Sequence, residues 1–319
     1  MGFTTELLLT VKQLKGFGRK TILDMSKDND FSTMEQLCDY WKQLKGKKFV
    51  SISRDDLMAA NHTARNIMNA CEREGIGILS YYEPLFPQLL RECVDENGNL
   101  DQPIFLFYRG DISILQKPGI AVIGTREPTP NGVKAGLYFS GEFAKSGYNI
   151  VSGLAVGCDT TGHRGALDTG GVTTAFLGTG LGWNEIYPRE NLELAREIVE
   201  KGGLLLSEYF MGESIGKFGL VARDRLQAGL SVATVVIQTG VKGGTLHAVN
   251  ATLQSGKPLF MVSYKSRDDN ENSKVEGNLY YIRTGQAKEL TSQSLPTVLE
   301  SLKRSAANVG KVVVQTSIF

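Results

Sequence analysis

Arg126 is the side chain whose neighbours best equip it for chemistry. It closes the triplet Gly124-Thr125-Arg126 directly after the apolar run 119–123. A guanidinium on a glycine turn, beside backbone amides, offers a fork of donors that fits a phosphate. The competing reading pairs Arg126 with the adjacent carboxylate of Glu127. Three more glycine turns follow apolar runs in the same way: Ser152-Gly153-Leu154-Ala155-Val156-Gly157, Gly178-Thr179-Gly180-Leu181-Gly182 and Gly243-Gly244-Thr245. Amides at helix starts make an anion site without any catalytic side chain. Arg189, after Tyr187-Pro188, is a second basic candidate, either for phosphate or as a surface charge balanced by Glu190 and Glu193. The expected chemistry is capture of a phosphate-bearing ligand, largely by backbone.

Other chemistries lack their parts. His163 has no assigned Ser or Cys nucleophile, and a lone helical histidine reads as structural. Gly212-Glu213-Ser214-Ile215-Gly216 spells a hydrolase nucleophile turn, but no helix of the required length begins at Ser214. Gly256-Lys257 runs into Pro258, which has no hydroxyl for a nucleotide's magnesium, and the first core turn has no Gly-x-Gly-x-x-Gly. Cys38, Cys71, Cys93 and Cys158 are scattered without a Cys-x-x-Cys pair, and there are three histidines. That spacing argues for reduced cytosolic thiols and against structural zinc. Neither a metal nor a cofactor is expected.

The elements that must position these turns follow from hydrophobic patterning. Apolar runs at 119–123, 149–151, 173–177, 233–239 and 258–264 alternate with helix-length segments at 131–146, 159–169, 189–201, 224–230 and 245–254. That alternation predicts an α/β fold with a doubly wound, mainly parallel sheet and right-handed crossovers. Its strand-to-helix turns gather at one edge, where ligands bind. Runs 76–79 and 104–108 read as bridging strands.

Residues 1–80 read as a small helical domain, with Ser53 and Asp55 as helix caps. Within it, Lys15-Gly16-Phe17-Gly18-Arg19-Lys20 joins two short amphipathic helices. Two readings stay open: a helix-hairpin-helix whose turn and basic residues hold a DNA phosphate, or a plain packing element. Lys45-Gly46-Lys47-Lys48 reads as a solvated loop. After 264 come a polar loop over 265–277, a helix near 295–305 and a β-prone tail at 312–319.

The totals set bounds. At 319 residues, the chain holds one large domain and a smaller one on a prior of about 150 residues each. A composition of 41% hydrophobic and 22% charged residues is that of an ordinary globular protein. The net charge of +1 excludes a global basic field, so any polyanion site must be local. No signal peptide or membrane-length apolar run is present, which makes the cytoplasm the expected location.

Several segments together resemble the DNA-processing protein A (DprA/Smf) family. They include Ala121-Val122-Ile123-Gly124-Thr125-Arg126, Val151-Ser152-Gly153-Leu154-Ala155-Val156-Gly157-Cys158-Asp159, His163-Arg164-Gly165-Ala166-Leu167, Tyr187-Pro188-Arg189-Glu190-Asn191 and Arg223-Asp224-Arg225. The resemblance implies an extended Rossmann-like domain over 81–290 that binds single-stranded DNA, dimerises and hands strands to a RecA-type recombinase without being an enzyme. By position, it implies that Arg126 holds a phosphate and that Arg189, Arg223 and Arg225 are DNA-facing, along with the turns bearing Gly124, Thr125, Ser152, Gly153, Gly243, Gly244 and Thr245.

Departures from the family pattern mark a divergent member. Asp224 stands in place of Asn, Leu220-Val221 in place of Phe-Pro, and His247-Ala248 in place of Ile-Thr. Residues 291–319 are expected to form a helix and tail without a winged-helix domain. Two alternatives remain. One is an antitoxin or nucleotide sensor in a phage-defence or mobile-element setting, with a toxin partner. The other is a nucleotide phosphoribohydrolase-like enzyme, for which the Gly243-Gly244-Thr245 turn lacks a following carboxylate.

Overall fold

The computed structural model describes residues 2–27, 29–43, 52–213 and 216–304. Four helices come first: α1 (Thr5–Gln13), α2 (Arg19–Met25), α3 (Met34–Gln43) and α4 (Arg54–Arg73). The connecting stretch holds β1 (Gly77–Ser80), α5 (Gln88–Arg91) and β2 (Phe105–Gly110). The alternating core runs β3 (Gly119–Ile123), α6 (Pro130–Lys145), β4 (Asn149–Ser152), α7 (Cys158–Asp168), β5 (Thr173–Leu177), α8 (Leu192–Glu200) and β6 (Leu204–Ser207). It continues with α9 (Gly216–Ala222), α10 (Asp224–Leu230), β7 (Ser231–Val236), α11 (Thr245–Gln254) and β8 (Leu259–Val262). Last come α12 (Arg267–Asn270), α13 (Glu276–Arg283), β9 (Lys288–Leu290) and a helix over 295–304.

Among the described residues, nine strands form one sheet, in the order β1-β2-β6-β5-β4-β3-β7-β8-β9. β3, β4, β5, β6 and β8 are buried at every position, which is why their sequences are continuous apolar runs and not alternating ones. Pairing is parallel from β6 to β9 across the sheet, while β1–β2 and β2–β6 are antiparallel. The chain winds outward from β3 through β4 and β5 to β6, then returns to lay β7 on the other side of β3. The strand order therefore reverses between β3 and β7, which is where open α/β sheets leave a crevice for ligands.

The N-terminal helices share their core with the sheet. Leu8, Ile22, Phe31 and Leu57 belong to the same buried cluster as Phe105, Phe107, Leu177 and Leu205. β1 lies within the segment assigned to the helical unit, yet it extends the sheet. Long α4 starts at a reciprocal cap: Ser53 accepts from the Asp56 amide and Asp56 from that of Ser53. In the glycine hairpin, Phe17 packs on Trp41 at 4.9 Å and Arg19 pairs with Asp101. These contacts favour the packing role for that turn.

Two expectations are corrected. The polar stretch 265–277 holds α12 and the start of α13, tied down by polar side chains in and just after it while Lys265, Asp268 and Glu276 stay exposed. Buried Asp269 accepts from Thr129 Oγ1 at 3.0 Å and Asn131 Nδ2 at 2.7 Å. Asn278, fully buried on α13, accepts from the Thr239 amide at 2.8 Å and donates to Ile237 O and Val262 O. The second correction is β6, a four-residue strand between α8 and α9. Lys45 to Lys48, Ser214, Ile215 and the tail 312–319 lie outside the described residues.

Candidate functional site

An open cleft of about 510 Å³ occupies the switch point. One lip is Gly124, Thr125 and Arg126, at the end of β3; the other is Lys242, Gly243, Gly244 and Thr245, after β7. Arg223 and Asp224 contribute to its wall.

The first lip is held by backbone. The Thr125 amide donates to Gln238 O at 2.8 Å and the Cys158 amide to Thr125 O at 3.0 Å. Gly157 has φ +85°, and a β-carbon there would lie 2.5 Å from the Arg126 carbonyl carbon, so only glycine lets the two turns touch. The turn thus pushes Arg126 outward. It is exposed and has no ion-pair or hydrogen-bond partner among the described residues, because Glu127 pairs with Lys274 at 3.3 Å instead.

On the second lip, Gly244 begins α11 without any side-chain cap. Among the described residues, no hydrogen bond is donated by the amides of Gly243, Gly244 or Thr245. Such orphan amides carry the positive end of the helix dipole. Lys242, exposed beside them, has no ion-pair partner among the described residues.

The other two turns are closed by the protein's own carboxylates. Asp159 Oδ2 accepts from the amides of Gly153 and Ala155, each at 3.2 Å, so this residue ties down a loop and does not cap α7. The Ser152 hydroxyl donates to Val122 O at 2.6 Å. Ser152 and Gly153 are thereby spent internally and do not line the cleft. Leu154 sits at φ +63°, a costly conformation for a branched residue, and buried Asn191 donates to its carbonyl at 2.8 Å. Glu185 closes the third turn by accepting from the amides of Gly182 (3.2 Å) and Gly212 (2.7 Å).

Of the implied arginines, only Arg223 joins Arg126 at the cleft. Arg223 is 5% exposed as a residue, and its guanidinium lies between Asp159 (3.6 Å) and Asp224 (3.4 Å). Neither contact has hydrogen-bond geometry, leaving Nε and Nη1 without partners. Burial pushes the Asp224 carboxyl up to about 6, against the pull of Arg223 and with a push from Asp159. Burial likewise raises Asp159. Arg225 turns inward, to Glu208 at 2.7 Å, Asp101 and the Ala222 carbonyl, and is absent from the cleft. Arg189 is exposed but donates to Trp183 O at 2.9 Å, away from the cleft walls.

His163 is a packing residue. Thr173 gives its one hydroxyl proton to Ile150 O, so His163 Nδ1 must be the donor in its 2.7 Å contact with Thr173. Burial, then the charges of Arg223 and Arg164, push its pKa down to about 3. Cys158 is also inert, its thiol raised to about 12 by burial under Gly124. Among the described residues no group of three His, Cys, Asp or Glu side chains is set to hold a metal, and no helix is long and apolar enough to cross a membrane.

These features define an extended Rossmann-type α/β protein with an open cleft at its topological switch point. The chain belongs to the DNA recombination-mediator protein A family, whose model matches residues 77–302. It is 37% identical over 180 residues to the DNA processing protein DprA of Streptococcus pneumoniae, covering 54% of this chain and 61% of that protein. It is 39% identical over 182 residues to protein Smf of Synechocystis, covering 56% and 44%. The matched stretch thus spans less than two thirds of either relative. With Bacillus subtilis DprA the identity is 29% over 255 residues, covering 75% and 83%. The X-ray structure of S. pneumoniae DprA superposes with a TM-score of 0.70 at 26% identity, covering 92% of this chain and 96% of that one. A Helicobacter pylori DprA structure, described for its single-stranded DNA binding mode, gives 0.60 at 27% identity, covering 72% and 96%.

Proposed function

We propose that the switch-point cleft grips the backbone of single-stranded DNA, and that the protein handles the strand without chemistry of its own. The observation that carries this is Arg126: exposed, unpaired among the described residues, and lining one cleft with Lys242 and the uncapped start of α11. Membership in a DNA-processing family and the H. pylori relative support it. A second copy of this chain and a RecA-type recombinase are the partners proposed with it, acting in the cytoplasm.

The test is binding of a labelled oligonucleotide, single- against double-stranded, over a salt series. Phosphate-dominated binding to a single strand falls with a log–log slope of about −0.7 per neutralised phosphate. Arg126→Glu is expected to weaken single-strand binding at least tenfold; unchanged affinity at moderate salt overturns the reading.

A specific observation also keeps an enzyme in view. Asp224 supports a nucleotide-glycosidase reading, because it lines the cleft and burial raises its carboxyl to about 6, a property that suits a general acid. Release of free base from nucleoside monophosphates, lost in Asp224→Asn, is the result that would establish it.

A further inference from the structure

Glu127 lines the switch-point cleft and stands next in sequence to Arg126. A carboxylate in that place competes with a phosphate for the Arg126 guanidinium, since both are acceptors for the same fork of donors. The competition is settled by a residue from a distant part of the chain. Lys274 Nζ, in the segment between α12 and α13, donates to Glu127 Oε2 at 3.3 Å, and Arg126 has no ion pair among the described residues.

The backbone places Lys274 there. Its amide donates to Asn272 Oδ1 at 3.0 Å, and the next residue, Val275, is fully buried. The same segment grips both lips of the cleft. Asp269 accepts from Thr129 and Asn131, just beyond Arg126. On the other side the Gly277 amide donates to Thr239 O at 2.9 Å, and Asn278 accepts from the Thr239 amide, ahead of Lys242. The ammonium of Lys274 is therefore carried on a frame fixed to the turn that bears its target.

We propose that Lys274 is a positioning residue for strand binding: it occupies Glu127 and so keeps Arg126 free for a phosphate. The inference rests on the cleft being a strand-binding site. Glu127 is 83% exposed at its side chain, so the effect has the scale of one surface ion pair.

The test is a double-mutant cycle on the full chain, read by binding of a labelled single strand at low salt, with unfolding midpoints as the check on folding. Lys274→Ala is expected to weaken binding about two- to fivefold, and Lys274→Glu more. Adding Glu127→Ala to Lys274→Ala is expected to restore wild-type affinity. In an Arg126→Ala background, Lys274→Ala is expected to change nothing further, because the residue it protects is gone. A lysine that touched the strand itself would keep its full effect there, and Glu127→Ala would not rescue its loss. Unchanged affinity in Lys274→Ala, failure of the rescue, or an undiminished effect in the Arg126→Ala background overturns the positioning role and leaves the cleft reading standing. If Arg126→Ala alone leaves affinity unchanged, the cleft reading falls and the role of Lys274 falls with it.

Discussion

A β-carbon on residue 153 would sit 1.0 Å from Nη1 of Arg223. The glycine thus leaves open the place that the guanidinium fills, and Asp159 and Asp224 hold it there from either side. Removing the cation strands two largely buried carboxylates, which in comparable buried pairs costs about 3–5 kcal/mol. Arg223→Met should lose that much in urea unfolding. Gly153→Ala should lose less, because the guanidinium ends a flexible chain and swings aside, but its oligonucleotide affinity should fall. A reversed order of the two stabilities would refute this picture.

Asp224 should make strand binding pH-dependent. Its folded-state pKa of about 6 lies above the ordinary 3.8. As pH falls through 6 the carboxyl is neutralised, and a negative charge that competes for Arg223 is lost. The groups acting on it are Arg223, Asp159, His247 and Arg126, with a hydrogen bond from Gln227. A unit charge at about 4 Å is worth about 1 kcal/mol even in water, so Asp224→Asn should bind about fivefold tighter or more at pH 7.5. It should also flatten the rise between pH 7 and 5. The folded state holds this proton more tightly, so Asp224 withdraws stability as pH climbs from about 4 to 6, on the order of 3 kcal/mol in all.

His163 should act on stability in the opposite sense. Its folded-state pKa of about 3 lies below the ordinary 6.5. Below 6.5 the unfolded chain takes up a proton that the folded chain refuses, so stability falls with pH down to about 3, at up to about 1.4 kcal/mol per unit. Denaturant titrations of His163→Gln should show a shallower acid slope than wild type.

Arg225 and Arg126 should separate cleanly in a salt series. Arg126→Ala and Lys242→Ala should each lower the steepness of the salt dependence by about 0.7, one single-strand phosphate contact apiece. Arg225→Ala should leave the slope unchanged and instead lower the unfolding midpoint, since Arg225 ties α10 to Glu208 and Asp101.

The sheet and its first and fourth turns were legible because a buried strand followed by glycine writes itself into local sequence. The arginines were not equally legible. Arg223 and Arg225 stand two apart, so a helical backbone sends them about 200° from each other. Which one meets the cleft depends on Asp101 and Glu208, distant in sequence. The two closed turns failed for a similar reason: Asp159 resembles any first-turn acid of a helix, and Glu185 any surface acid, until the loops fold onto them. Asn191, Gln238 and Lys242 were missed as well. Asn191 stood in a recognised motif, and its burial was the unseen part. The stretch 265–277 read as a polar loop, yet Asp269 within it and Asn278 just beyond it are interior ties.

The family match opens at residue 77, the first position of β1. Trimming the protein there would keep every strand, yet it would strip the helical cover from Phe105, Phe107 and Leu177. The shortened product would present an oily wall to water, prone to stick to itself, and its poor behaviour in solution would say nothing about the edge proposed to bind DNA. For this chain, the convenient place to cut is not a place where the molecule comes apart.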